Sequence, residues 1–287
     1  MPGFRPTAAQ IQEFPVQTLR KHPILALGLA GSLLFGAAAC GSSDSGSDSG
    51  SDGSSSKSEG AAVWKVCSDM PYEPFEFEGE GPRGLKYTGF DIELLDAIAE
   101  DQNATLKVQD SDFDTIFASV NAGKCDVVAS AVTITPEREK NSLFSEPYFD
   151  ADQSLLIPAD SDVKTLDDLA GETIGVQSGT TGESYAKENT PDGATIKSFP
   201  DAAALFAAIS AGQIAAVLQD LPVNSDRATK DDTVKVVDTI PTGEQYGFVV
   251  AKENTDLQKQ LNSGLAAVKE DGTFDDIYTS YFPNAGN

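Results

Sequence analysis

The sequence predicts an α/β fold of two lobes, each with a central, mostly parallel sheet. Three observations lead there. Short buried-strand patterns alternate with helical patterns along residues 61–287, and that alternation builds parallel sheets covered by helices. The helical stretches place apolar residues on one face, as at Phe113, Ile116, Phe117 and Val120, the i, i+3, i+4, i+7 spacing of an amphipathic helix. The strands are also too many for one sheet in about 225 residues, which favours two lobes of ordinary size.

Residues 64–68 read as a short buried strand, followed by a loop carrying Pro71, Pro74 and Pro82. Residues 90–100 read as a helix with Ile92, Leu95 and Ile98 on one face, and 105–109 alternate as a strand. Asp112 is placed to cap a helix that Gly123 ends. Residues 126–131 form the next strand, and Thr135 with Pro136 makes an N-cap and first-turn pair. In the second half, strands are expected at 173–176, 195–199, 215–219, 234–238 and 246–251, with helices at 181–187, 201–211, 256–270 and 273–281. The expected lobes are 61–150 with 246–287, and 151–245, joined by chain crossings near 150–154 and 243–245.

The N-terminal residues address the chain rather than build it. Arg20, Lys21 and His22 precede an apolar stretch from Pro23 to Ala39 that ends in Ala37, Ala38, Ala39 and Cys40. A basic start, a short apolar middle and small residues at a cleavage point describe a secretory signal peptide over 1–39, not a membrane span. Residues 1–19, with Glu13 and three prolines, fit a signal poorly, and translation starting near Val16 would account for them. Residues 41–60 are almost wholly Gly, Ser and Asp. Such a tract cannot bury apolar surface and is expected to be disordered. As a flexible coil it would span on the order of 25 Å. Nothing after Ala39 is long and apolar enough to span a bilayer.

Without residues 1–40 the chain carries 17 basic and 44 acidic side chains, a net charge of −27. That opposes binding to nucleic acid or adsorption to anionic lipid. The only histidine is His22, so Ser-His-Asp and Cys-His catalysis and most zinc sites are excluded beyond the signal. Asp110, Asp112 and Asp114 resemble the start of a calcium loop, but Thr115 and Asn121 stand where such a loop needs Gly and Glu. Neither metal nor cofactor is expected. Cys67 and Cys125 remain. An oxidising compartment favours a bond between them. However, Cys67 near the end of one strand and Cys125 before the start of a parallel neighbour would lie out of register, which points to two free, buried thiols.

In open α/β sheets, ligands bind beyond the C-terminal strand ends. Asp69, Ser130 with Thr133 and Arg138, residues 177–181, and Asp220 all fall there. Arg138, in the first turn of a helix, is suited to a bidentate grip on a carboxylate. The turn Ser178, Gly179, Thr180, Thr181 offers backbone N–H groups to an anion, and Asp220 suits an ammonium. Together the three fit an amino-acid zwitterion; separately they are ordinary surface features.

Gly89-Phe90-Asp91-Ile92-Glu93-Leu94, then Ile98 and Ala99, resembles the signature of the polar-amino-acid-binding lipoproteins of ABC importers, the type II, family 3 extracellular solute-binding proteins. Only Gln102, at the last signature place, departs from it. The likeness runs from Val63 to Phe282. It includes Ser68-Asp69, Tyr72, Pro74-Phe75, Ser111-Asp112-Phe113-Asp114, Thr133 to Arg138, Phe144-Ser145, Pro147-Tyr148, the 178–181 turn and Gln219-Asp220. The small residues before Cys40 likewise resemble a lipobox, except that Ala37 stands in place of the usual Leu.

The resemblance implies a type II periplasmic-binding-protein fold. It also implies a monomer anchored by lipid on Cys40 to the outer face of the cell membrane, delivering an amino acid to an ABC permease. It assigns the ligand α-carboxylate to Arg138, Thr133 and the Thr181 N–H, and the α-ammonium to Asp220 with backbone near Ser130 and Ala131. Tyr72 and Phe113 would sandwich the ligand side chain, while Asp69 and Gln177 would face its tip. With Asp69 there and no Lys or Arg, a cationic amino acid is expected, with glutamine the rival. The competing readings are a dehydratase-like cleft enzyme, which would need Glu73 or Asp69 as general acid, and a receptor module, which would need a transmembrane segment or signalling domain.

Overall fold

The computed structural model describes residues 61–283. The chain opens with β1 (Ala62–Ser68), a hairpin of β2 (Phe77–Glu78) and β3 (Tyr87–Thr88), α1 (Phe90–Asp101), β4 (Ala104–Asp110) and α2 (Phe113–Asn121). It continues through β5 (Val127–Val128), α3 (Pro136–Glu139), β6 (Ser142–Phe144) and the long β7 (Phe149–Pro158). Then come β8 (Thr173–Gln177), α4 (Thr181–Asn189), β9 (Thr195–Phe199), α5 (Ala202–Ser210), β10 (Ala216–Asp220) and α6 (Leu221–Lys230). The described part closes with β11 (Val234–Tyr246), β12 (Val249–Ala251), α7 (Thr255–Glu270) and α8 (Thr273–Tyr281).

Two five-stranded sheets result, in the orders β4-β1-β5-β12-β6 and β11-β7-β10-β8-β9. The α/β architecture in two lobes is therefore present, but the sheets are evenly mixed. In the first, β1 runs parallel to β4 and β5, while β12 opposes β5 and β6. In the second, β8 runs parallel to β9 and β10, while β7 opposes β10 and β11. The parallel strands are those whose C-terminal ends carry the polar residues noted in the sequence. Among the described residues no helix is long and apolar enough to cross a membrane. The expected signal peptide, Cys40 and the Gly/Ser/Asp tract lie outside the described residues.

The first sheet is anchored by a cluster of aromatic rings packed edge-to-face and stacked. Phe75 and Phe90 are fully buried. Phe75 meets Phe149 and Tyr246 at centroid distances of 5.1 and 5.3 Å, and Phe149 lies 5.6 Å from Tyr246. Each such pair adds about 0.5–1.5 kcal/mol beyond its area. Phe149 opens β7 and Tyr246 ends β11, and the two are register partners. The same rings therefore pin one end of both long strands that continue into the second sheet.

The sequence reading missed β7 and α6 and divided β11. Helix α6 is polar, with Pro222 in its first turn, and it is held by tertiary contacts: Asn224, fully buried, donates from Nδ2 to Ser154 Oγ (2.9 Å). The strand expected at 126–131 is only Val127–Val128, because the chain leaves the sheet at Ala129 to build the site.

The expectation of two free thiols is corrected. Cys67 and Cys125 form a disulfide, with Cα atoms 5.8 Å apart. The register argument treated Cys125 as an extension of its strand. Instead Cys125 sits on the turn descending from α2 over the sheet face, in one apolar cluster with Cys67, Phe113, Ile116 and Val128. A residue on that layer can reach along the strand where an in-line neighbour cannot.

Candidate functional site

The ends of β1, β5, β8 and β10 meet around one narrow cavity of about 10 Å3, room for about one water. All ten residues expected in the site, Asp69, Tyr72, Phe113, Ser130, Ala131, Thr133, Arg138, Gln177, Thr181 and Asp220, line it, together with Thr180. Glu73, the alternative general acid, does not; it is ion-paired with Lys230 outside the cavity.

Arg138 sits in α3, whose N-cap Thr135 accepts the Arg138 backbone N–H (3.2 Å), as Thr-Pro at a helix start predicts. Its guanidinium stacks over Phe113 and Phe117, 5.4 and 5.1 Å from their centroids. Nη1 donates to Thr133 O (2.8 Å) within the first lobe and Nη2 to Gly179 O (3.1 Å) in the second, so one of the five N–H donors of the fork already ties the lobes together. Burial pushes the Arg138 pKa down, and the nearby Asp220 and Glu244 carboxylates oppose that shift.

The 178–181 turn presents fewer donors than the sequence suggested. Ser178 N–H goes to Phe199 O and Gly179 N–H to the Glu183 carboxylate, which leaves the N–H groups of Thr180 and Thr181 at the start of α4. Gly179 is required here: its φ is +78°, and a Cβ would lie 3.1 Å from Asp114 Cα across the cleft.

Asp220 ends β10. Its Oδ2 accepts the hydroxyls of Tyr72 (2.8 Å) and Tyr246 (2.5 Å), and its Oδ1 accepts Gln153 Nε2 (2.5 Å). Burial raises its pKa to about 6, Glu244 adds to the rise, and the three hydrogen bonds hold it back. Also lining the cavity, Gln177 Nε2 donates to Asp69 Oδ2 (2.6 Å). Burial, assisted by Asp110 and Asp201 and opposed by the Gln177 bond, brings Asp69 to about 7. Phe113 both lines the cavity and belongs to the apolar face of α2, so its two possible roles coincide.

Behind Ser130 and Ala131 lies a buried acid pair the sequence reading did not identify. Ser130 donates to Glu76 Oε1 (2.9 Å) and in turn accepts the Asp69 N–H (3.0 Å). Ala131, at φ +45°, donates its N–H to Asp91 Oδ2 (2.8 Å), which also accepts the Tyr148 hydroxyl (2.6 Å). Burial raises both carboxyls, Asp91 to about 7 and Glu76 well above its usual range, and Asp91 pushes Glu76 further. Asp91 is the acid of the Gly-Phe-Asp signature, so its sequence signal was present but its partner Glu76 was not.

Glu244 and Gln153, from the two long strands, were missed as site residues. Glu244 Oε2 accepts the hydroxyls of Thr133 (2.6 Å) and Thr181 (2.7 Å), and Oε1 accepts Gln153 Nε2 (3.0 Å). The period-2 pattern of β11 was the available clue, since Glu244 and Tyr246 share one face.

The raised carboxyls fix the sign of the pH dependence of stability. Asp69, Asp91 and Asp220 hold protons in the folded state to about 7, 7 and 6, above their unfolded values. The folded protein therefore binds more protons between about pH 4 and 7, and stability is lost as pH rises through that window. Thermal melting of the ligand-free protein should give a Tm higher at pH 5 than at pH 8 by at least about 3 °C. The difference should shrink in Asp69→Asn. A Tm that rises over this range would contradict the assignment.

A two-lobed α/β fold with its site between the parallel-strand ends defines a type II periplasmic-binding-protein fold. The chain belongs to the bacterial extracellular solute-binding proteins, family 3, whose sequence pattern matches residues 64–284. It is 33% identical over 231 residues to a probable histidine-binding protein of Neisseria gonorrhoeae, covering 78% of this chain and 84% of that one. It is 30% identical over 261 residues to the arginine-binding extracellular protein ArtP of Bacillus subtilis, covering 90% and 97%. The solved arginine-, lysine-, histidine-binding protein ArtJ of Geobacillus stearothermophilus superposes with a TM-score of 0.71 at 31% identity, covering 77% of this chain and 96% of that one.

Proposed function

We propose that this protein is the extracytoplasmic substrate-binding subunit of an ABC importer and holds a polar, cationic L-amino acid between two closing lobes. The observation that carries the reading is that one cation, Arg138, and two carboxyl groups, Asp220 and Asp69, line the same cavity. Arg138 with Thr133 and the Thr181 N–H would take the α-carboxylate, and Asp220 with backbone near Ser130 and Ala131 the α-ammonium. Tyr72 and Phe113 would cover the side chain, and Asp69 with Gln177 would meet its tip. A cation gains a desolvated carboxylate there, whereas an acidic side chain meets like charge without a counterion. The names of the relatives are consistent with this choice. Calorimetry against the twenty amino acids and ornithine tests it. Arginine, lysine, histidine or ornithine should bind first and glutamine next; tight glutamate binding with weak arginine and glutamine binding would overturn the reading.

The proposed lobes are 61–150 with 246–287, and 151–245, hinged where β7 and β11 cross. Closure brings both sets of ligand groups into contact at once, so affinity arises in the closed form. The protein acts as a monomer, without cofactor, and passes its ligand to a membrane permease. After removal of residues 1–39, Cys40 carries lipid and the 41–60 tract gives the lobes reach from the outer face of the membrane. Stable anchoring takes two acyl chains or more. Cys40→Ala should therefore release the protein from the membrane fraction, and retention of that variant would argue against the anchor.

One observation favours a second reading, a cleft enzyme of dehydratase type: the Asp69 carboxyl keeps its proton to about pH 7 and would serve as a general acid. Recovery of unchanged ligand after prolonged incubation separates binding from turnover.

A further inference from the structure

The carboxylate of Glu244 occupies the Thr133 hydroxyl that a ligand carboxylate would use and the hydroxyl of Thr181, whose N–H that ligand would use. Strand β11 is irregular between Ile240 and Glu244, where its register against β7 shifts. Gly243 turns there with φ +64°, a backbone conformation that favours glycine. Such an irregularity re-aims the following side chains, and Glu244 comes to lie between Thr133 of the first lobe and Thr181 of the second. The two threonine oxygens are 3.5 Å apart. Each hydroxyl has a single proton to donate, and both are given to Glu244 Oε2 (2.6 and 2.7 Å).

A ligand carboxylate drawn to Arg138 therefore meets two hydroxyls already committed and a second negative charge immediately behind them. Either the threonines turn from Glu244 to the ligand, leaving Glu244 without their bonds, or the two carboxylates face each other; both disfavour an anionic ligand group at this end. A carboxamide in the same place carries no charge, and its NH2 can donate to the threonine oxygens.

We propose that Glu244 is a specificity-determining residue that competes with the ligand α-carboxylate for Thr133 and Thr181. In doing so it narrows the preference for a free amino acid over its carboxyl-masked form. The inference rests on the proposed function, which puts the ligand carboxylate at Arg138.

The test measures binding of arginine and argininamide to the wild type and to Glu244→Gln, by calorimetry at about pH 6, where the α-amino groups of both ligands are protonated. The glutamine variant keeps an oxygen for the hydroxyls and removes the charge. It should raise the affinity for arginine relative to argininamide by roughly tenfold or more. Glu244→Asp, with its carboxylate drawn back by one methylene, should move the ratio in the same direction and serves if the first variant does not fold. A ratio unchanged in both variants, even where both affinities fall, overturns the inference and leaves the proposed function standing. Wild-type protein that binds neither of these nor lysine, histidine, ornithine or glutamine overturns the proposed function itself.

Discussion

Replacing Arg138 with alanine is expected to weaken amino-acid binding by about 2–5 kcal/mol, and replacing Asp220 by a similar amount. Each change would leave one end of a zwitterion buried without its counter-charge. The two residues do not act alike, and conservative variants separate their roles. Arg138 also donates to Gly179 O across the cleft, so part of its effect is on closure. Arg138→Lys keeps the charge and loses the planar fork, and should recover only part of the affinity. Asp220 accepts Tyr72, Tyr246 and Gln153. Asp220→Asn preserves the size and an acceptor while removing the charge, so its loss reports the ammonium contact itself. Titration calorimetry of the four variants decides the matter: near wild-type affinity in both Arg138→Ala and Asp220→Asn would place the ligand elsewhere.

The residues that could be read from the sequence are those whose role is set by local chemistry. Helix α2 followed from the spacing of its apolar face and α3 from Thr135-Pro136. The polar cavity residues followed because parallel strands deliver their C-terminal ends to one place: Asp69, Ser130, Gln177 and Asp220 stand at or just beyond such an end, whereas Tyr72 and Phe113 came from the family resemblance. What was not legible depends on partners distant in sequence. Helix α6 carries few apolar residues of its own and is fixed by Asn224 against Ser154. The Cys67–Cys125 disulfide depends on where the α2 turn lies above the sheet, which spacing alone does not give. Glu244 shares a face with Tyr246, but its entry into the site follows a register shift in β11 that shows only once β7 is known to be its partner. Glu76 and Asp91 are near in space and 15 positions apart, and a carboxyl buried without a counter-cation contradicts ordinary sequence expectation.

The preference for arginine over glutamine is expected to rise with pH. Asp69 holds its proton to about 7 in the folded, ligand-free protein because burial penalises its charge. A cationic side chain at the tip of the cavity favours the ionised form, so binding arginine below neutrality requires release of that proton, and affinity falls as pH falls through 7. A neutral amide has no such requirement, since it can donate to Asp69 or exchange hydrogen bonds with Gln177 in either state. Asp220 also titrates, at about 6, but it faces the α-ammonium common to both ligands and cancels in their ratio. The ratio of arginine to glutamine affinity therefore isolates Asp69, and it should increase roughly tenfold or more between pH 5.5 and pH 8. In Asp69→Asn the carboxylate is gone at every pH. There the ratio should be flat and set in favour of glutamine, with arginine affinity at pH 8 reduced by about 2–5 kcal/mol relative to wild type. A ratio independent of pH in the wild type, or arginine binding undiminished in Asp69→Asn, would remove Asp69 from the tip of the pocket and with it the argument for a cationic ligand.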